Sequence, residues 1–243
     1  MNRFLNTLVA VLLISTAASA QDELFNRAQA AYDDGRYGEA AMLYEKMIAD
    51  GISNPEVHYN LGNACFKNSE LPAAVRHYRK AYYDLPRDPD IQANLRFALN
   101  AAGAAETVPS FIERLFASLS LQEWIMTGTG GYLLLCAGLL TILFIKRSRR
   151  QTLKFLLLPL FVLALSFLGW RYWKNIQKNP EWVVTDKEAT ALFSPVEGST
   201  AHFKLPMAAL VKQRNTHGKG WIEVEYDGKR GWLKQDYIQM VSP

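Results

Sequence analysis

The run WIMTGTGGYLLLCAGLLTILFI, Trp124–Ile145, passes without a charge into KRSRR, Lys146–Arg150, and a second uncharged run, FLLLPLFVLALSFLGW, follows at Phe155–Trp170. The first is 22 residues long and the second 16. Both are near the roughly 20 residues that an α-helix needs to cross a hydrocarbon core of about 30 Å. Buried helices of a soluble protein are the competing reading, and the cations between the runs count against it. Each Lys or Arg drawn to core or mid-bilayer depth costs about 3 kcal/mol or more, so Lys146, Arg147, Arg149 and Arg150 must face water. Trp124 and Tyr132 on one run, and Trp170, Tyr172 and Trp173 on the other, are placed as an interfacial aromatic belt would be. The pattern predicts a transmembrane hairpin with helices at 124–145 and 153–173 and a basic loop at 146–152. Pro159 predicts a kink near one end of the second helix. By the positive-inside bias the loop is cytoplasmic, which puts both flanking regions on the other side of the membrane.

Charge follows the same division. The formal net charge of +4 and pI near 9.0 resemble a nucleic-acid signature until the cations are located. Lys146, Arg147, Arg149, Arg150, Lys154, Arg171, Lys174 and Lys178 lie in or beside the hairpin with no acid among them. Without those eight, the 27 basic residues fall to 19 against 23 acids, so the rest of the chain is mildly acidic. The basicity belongs to membrane topology, and no nucleic-acid partner is expected.

At the amino terminus Asn2-Arg3 is followed by the apolar run Leu8–Ile14 and by Ala18-Ser19-Ala20, which predicts a secretory signal at 1–20 with cleavage before Gln21. The localisation expected is a bacterial inner membrane, with the domains before and after the hairpin in the periplasm. Cys136 falls inside the first spanning run and Cys65 in the exported region, so no disulfide can join them.

Between 21 and 105 the chain repeats with an offset of 34 residues. That offset superposes Asp22, Glu56 and Asp90; Asn26, Asn60 and Asn94; Ala30, Ala64 and Ala98; Ala40 with Ala74; and Tyr44 with Tyr78. The period and the residues Leu61-Gly62, Ala74, Tyr78, Ala81 and Pro86 resemble the tetratricopeptide repeat. Two repeats and a closing helix beginning at Pro89 are expected, with Gly62 and Ala74 allowing close helix approach while Leu61 and Tyr78 fill the space between. Asn54-Pro55 and Asp88-Pro89 read as helix starts, a cap followed by proline at the first helical position. A stack this short leans on a partner or on a second copy of itself.

In the arrangement that this resemblance implies, the first helices line a concave face carrying Phe25, Asn26, Gln29, Asp33, Tyr59, Asn60, Asn63, Lys67 and Asn94. Carboxamides there can donate to and accept from an extended peptide, or can bond between helices, and the sequence leaves both roles open. Lysines that would grip a free carboxyl terminus are missing, since Asp22, Glu56 and Asp90 occupy first turns that suit acids.

In the segment expected at 106–123, Phe111, Ile112, Leu115, Phe116 and Leu119 share one helical face. They predict either an amphipathic interfacial helix or an extension of the first spanning helix. From 180 to 243 the texture turns to short alternating segments rich in Val, Trp and Tyr. Trp221–Tyr226, Asp227-Gly228 and Lys229–Leu233 read as a hairpin on a turn-favouring Asp-Gly pair. The series Gly220-Trp221, alternating strand, Gly228-Lys-Arg-Gly231-Trp232 resembles a bacterial SH3-like domain, although Leu205-Pro-Met-Ala-Ala lacks a glycine turn. Trp221, Trp232 and Tyr237 are expected in a ligand groove or in the core of this small barrel, at least two of them in the core.

The fold class expected is thus a multidomain membrane protein: an α-helical tetratricopeptide solenoid, a two-helix transmembrane hairpin and a small all-β SH3-like barrel. In that order, with the Phe111–Trp124 stretch as the most distinctive part, the chain resembles the BatE family of aerotolerance-operon proteins. The resemblance implies an inner-membrane scaffold or adaptor linked to aerotolerance and stress. It also implies partners among von Willebrand factor type A membrane proteins, another tetratricopeptide protein and a MoxR-type ATPase. The competing class is a cell-wall protein whose SH3-like domain binds peptidoglycan. His58, His77, His202 and His217 have no metal spacing, and no Cys-x-x-Cys, phosphate loop or nucleophile elbow occurs, so no enzyme, cofactor or metal is expected.

Overall fold

The computed structural model describes residues 21–105, 109–144, 153–218 and 220–241. The expected signal at 1–20 and the basic loop residues Lys146, Arg147, Arg149 and Arg150 lie outside the described residues. Five helices make the amino-terminal lobe: α1 (21–33), α2 (Tyr37–Ala49), α3 (Pro55–Lys67), α4 (Leu71–Asp84) and α5 (Pro89–Ala101). The proline-led starts form as the sequence predicts. Asn54 Oδ1 accepts from the Val57 amide at 2.8 Å, and Asp88 Oδ1 accepts from Asp90 and Ile91 at 2.9 and 3.0 Å. Leu61, Ala74, Tyr78 and Ala81 are buried, and a Cβ on Gly62 would stand 2.6 Å from the Tyr78 ring. The missing side chain is therefore what lets α3 and α4 close on each other.

Next come α6 (Phe111–Ala117), α7 (Leu121–Phe144) and α8 (Leu157–Lys178), the last preceded by a helical turn from Leu153. The helices Leu121–Phe144 and Leu153–Lys178 are long and apolar enough to cross a membrane, and they pack against each other. The ladder breaks at Leu156, one turn before Pro159, whose ring supplies no N–H and crowds the preceding carbonyls. Over the described residues 109–123 the chain forms a short helix, α6, that is separate from α7, while 106–108 of the segment expected as amphipathic lie outside the described residues. Two successive capping boxes separate the pieces, Ser110 with Glu113 and Ser120 with Glu123, each exchanging backbone and side-chain hydrogen bonds.

The carboxy-terminal lobe is a seven-stranded antiparallel sheet in the order β3-β2-β6-β5-β4-β1-β7. Its strands are β1 (Glu181–Val184), β2 (Thr190–Leu192), β3 (Ala201–Lys204), β4 (Leu210–His217), β5 (Trp221–Tyr226), β6 (Lys229–Lys234) and β7 (Ile238–Val241). The β5–β6 hairpin closes on Asp227 and Gly228 at φ 48° and 72°, with Tyr226 opposite Lys229. Both central residues are thus left-handed, as a two-residue hairpin turn requires. The turn near Leu205 forms without glycine because Ala208 itself adopts φ 63°. Trp221, Trp232 and Tyr237 are all half-buried, with Tyr237 packed against the core. The core tryptophan is Trp182, enclosed with Val183, Val184, Val211, Ile222, Val224 and Leu233, its Nε1 donating to Gln213 Oε1 at 2.9 Å.

Two of the belt tryptophans are likewise reassigned. Trp124 and Trp173 are 4% and 1% exposed, their indoles donating to the carbonyls of Phe116 and Leu119, both at 3.0 Å. They plug the junction between α6, α7 and α8, because an indole N–H inside a packed core needs an acceptor and the free carbonyls at the end of α6 and in the 118–120 break offer them. Trp170 and Tyr132 remain exposed.

Candidate functional site

The two lobes meet at a buried charge. Arg79 on α4 forks onto Glu181 on β1, Nε to Oε2 at 2.6 Å and Nη2 to Oε1 at 3.0 Å, and the Tyr83 hydroxyl donates to the same carboxylate at 2.9 Å. Burial alone would push the Glu181 carboxyl up; the Arg79 guanidinium and the two hydrogen-bond donors bring it below its ordinary value instead. Tyr83 then sets its edge on Trp173, ring centroids 5.6 Å apart. Lys212 on β4 reaches Glu113 on α6 at 3.0 Å, the Ala105 amide donates to Tyr226 at 2.9 Å, and Arg87 holds the Ser118 carbonyl and Glu123. The lobes are docked on each other and on the top of the hairpin.

On the helical lobe, the residues expected along one face divide into two groups. Asn63 accepts from the Tyr78 hydroxyl at 2.8 Å and from Asn94 at 3.0 Å, and Asn94 also donates to the Tyr59 hydroxyl at 3.0 Å. These groups cross-link α3, α4 and α5. Gln29 accepts from Tyr44 at 3.3 Å and donates to Asp33, while Phe25 sets its edge on Tyr44 at 5.9 Å. Asn26 and Lys67 are exposed and Asn60 is half-buried. The face also carries Phe97, 62% exposed and 5.3 Å from Phe66. The repeat offset that pairs Asn60 with Asn94 pairs Asn63 with Phe97, so this residue could have been found from sequence.

His58 and His77 are a buried pair between α3 and α4, their Nδ1 atoms 3.1 Å apart. Arg76 can only donate, so at 3.0 Å it makes His77 Nε2 the acceptor. His77 Nδ1–H therefore donates to His58 Nδ1, and His58 Nε2–H donates to Ser53 Oγ at 2.8 Å. Burial, with Lys80 and Arg76 nearby, lowers His58 to about 4, and burial with the Arg76 cation also lowers His77 strongly. Both rings are neutral structural groups.

The sheet carries an open cleft of about 490 Å³. Trp221 and Tyr237 form apolar walls, Asp186, Glu188 and Glu197 supply acids, and Lys234 bonds to Glu197 at 2.7 Å while standing 5.8 Å from the Trp221 ring. Trp232 is not part of this lining and meets His217 at 6.0 Å. Apolar walls with a few charged groups suit a small polar chain or a side chain of a partner. Among the described residues, no group of three or more His, Cys, Asp or Glu could hold a metal.

No protein-family model matches the chain, and no curated protein matches it.

Proposed function

We propose that this chain is a membrane-anchored scaffold of the BatE type, a short tetratricopeptide array and an SH3-like barrel that hold protein partners over one face of the inner membrane. The observation that carries the proposal is the Arg79–Glu181–Tyr83 contact. It joins the two lobes through a largely buried, bidentate ion pair, so the face bearing Phe97 and the cleft bearing Trp221 keep one relative orientation. Such a pair of surfaces engages one partner at two points, and the second contact then forms at high effective concentration. The partners that the family resemblance implies are von Willebrand factor type A membrane proteins and a second tetratricopeptide protein.

A photo-crosslinking amino acid at Phe97 and, separately, at Trp221, irradiated in intact cells, tests this reading. Capture of the same membrane protein from both positions is the expected result. The cleft of acids and aromatics favours one other reading, a peptidoglycan-binding protein. Retention of the full-length protein on purified cell wall, lost on Trp221→Ala, with no protein captured from Phe97, would replace the scaffold by that one.

A further inference from the structure

We infer that the last two turns of α8, together with α6, form a binding site for the headgroups of acidic phospholipids; this rests on the reading of α7 and α8 as membrane-spanning. Arg171, Lys174 and Lys178 are all exposed and follow one another at i, i+3 and i+7, within one narrow sector of the helix. Phe167 and Trp170, stacked at 5.7 Å and both exposed, lie immediately below them on the apolar stretch. An aromatic pair of this kind marks the level where hydrocarbon gives way to headgroups. The three cations then extend over about 10 Å above it, which matches the interfacial layer within the reach of their flexible stems.

Among the described residues no acid neutralises them. The ion pairs among the described residues use Arg36, Arg79, Arg87, Lys212, Arg214, Arg230 and Lys234, and Lys174 bonds only to the neutral Gln177. Three unpaired cations at the end of α8 away from the Lys146–Arg150 segment also oppose the positive-inside bias. A counter-charge from outside the chain removes both difficulties, and at this level of the bilayer it is a lipid phosphate.

A second element stands at the same height. Phe116 on the inner side of α6 stacks on Tyr172 at 5.9 Å, next in the chain to Arg171. On its outer side α6 presents Phe111 and Ile112, 72% and 64% exposed, with Leu115 beside them and the exposed Arg114 at the flank. Ile125 and Met126 in the first turns of α7 are exposed as well, and with α7 and α8 spanning the membrane α6 enters the headgroup layer beside the α8 cations.

The test uses the full-length protein in bilayers of phosphatidylcholine containing a trace of spin-labelled phosphatidylglycerol or spin-labelled phosphatidylcholine, and measures their relative association with the protein. Each juxtamembrane cation contributes about fivefold, so wild type should prefer phosphatidylglycerol by up to roughly a hundredfold, less as salt is added. Arg171→Gln/Lys174→Gln/Lys178→Gln should lose most of that preference, and Arg171→Lys/Lys174→Arg/Lys178→Arg should keep it. Arg230→Gln, which alters a cation of the sheet, should leave it unchanged. Equal association of the two lipids with wild type, or an undiminished preference in the glutamine variant, overturns the inference. Inorganic phosphate that abolishes the preference more effectively than chloride at matched ionic strength overturns the lipid assignment in favour of a free anion. If neither labelled lipid shows a protein-bound population, the membrane-spanning reading itself has failed.

Discussion

Arg79 and Glu181, 102 residues apart in sequence, share a bidentate ion pair that is also the seam between the helical lobe and the sheet. Its meaning is architectural more than energetic. Two apolar residues of similar size can hold such a seam as well, but removal of one partner leaves a buried charge without compensation. Arg79→Ala or Glu181→Ala should therefore each destabilise the detergent-solubilised protein by about 3–5 kcal/mol. The double variant Arg79→Leu/Glu181→Leu should cost much less than the two losses together. Denaturant melts of the three variants provide the cycle, and strict additivity would mean that the pair does not act as a unit.

Gly62 makes a sharper test of packing. With the Tyr78 ring 2.6 Å from where a Cβ would stand, Gly62→Ala should destabilise the helical lobe by about 1–3 kcal/mol through overpacking, despite the better helix propensity of alanine. A gain in melting temperature would show that α3 and α4 are not in this contact.

Asn63 and Asn60 should behave differently although both lie on the face assigned to a partner. Asn63→Ala leaves the Tyr78 hydroxyl and an Asn94 donor without their acceptor and should cost about 1–3 kcal/mol. Asn60→Ala should stay within about 0.5 kcal/mol. Equal losses in urea melts would remove the distinction between structural and solvent-facing carboxamides.

The buried histidine pair sets a pH dependence. His58 and His77 are held below the ordinary value of 6.5, His58 at about 4, so they are neutral in the fold while the unfolded chain binds protons first. The stability they contribute is complete above pH 6.5 and declines as pH falls from there towards about 4, by about 1.4 kcal/mol per pH unit for each histidine that titrates only when unfolded. Carboxylates add their own loss below about pH 5, so the informative window is pH 6.5 to 5. Melts across it should be steep for wild type and flatter for His58→Gln/His77→Gln. The same slope in both would assign the dependence to other groups.

Local features were legible in the sequence because local chemistry decides them. The two long apolar helices follow from length and missing charge, the starts of α3 and α5 from cap-proline pairs, and the β5–β6 turn from Asp227-Gly228. The close approach of α3 and α4 was legible in Gly62 and Ala74, while the contact of Gly62 with the Tyr78 ring was not. What stayed hidden depends on contacts across long separations. Nothing around Glu181 announces that Arg79 will meet it, and a tryptophan at the end of an apolar run looks the same whether it stays exposed, as Trp170 does, or fills a junction, as Trp124 and Trp173 do. The break between α6 and α7 was legible in Ser120-Leu-Gln-Glu123, a capping-box signature, but its apolar surroundings pointed to one continuous element. Of the sheet residues expected in groove or core, Trp221 and Tyr237 line the cleft and Trp232 does not, a choice made by strand register rather than by residue type.

A scaffold of the proposed kind has both lobes on one side of the membrane, opposite Lys146–Arg150. The most direct measurement is labelling of single cysteines by an impermeant thiol reagent in intact cells, before and after permeabilisation, in a Cys65→Ala/Cys136→Ala background. Asn100→Cys on the helical lobe and Thr200→Cys on the sheet are at exposed positions and should label in cells with the outer membrane opened and the inner membrane intact. Ser148→Cys should label only once the inner membrane is breached. Labelling of Ser148→Cys without breaching it, or protection of either lobe, would contradict the account.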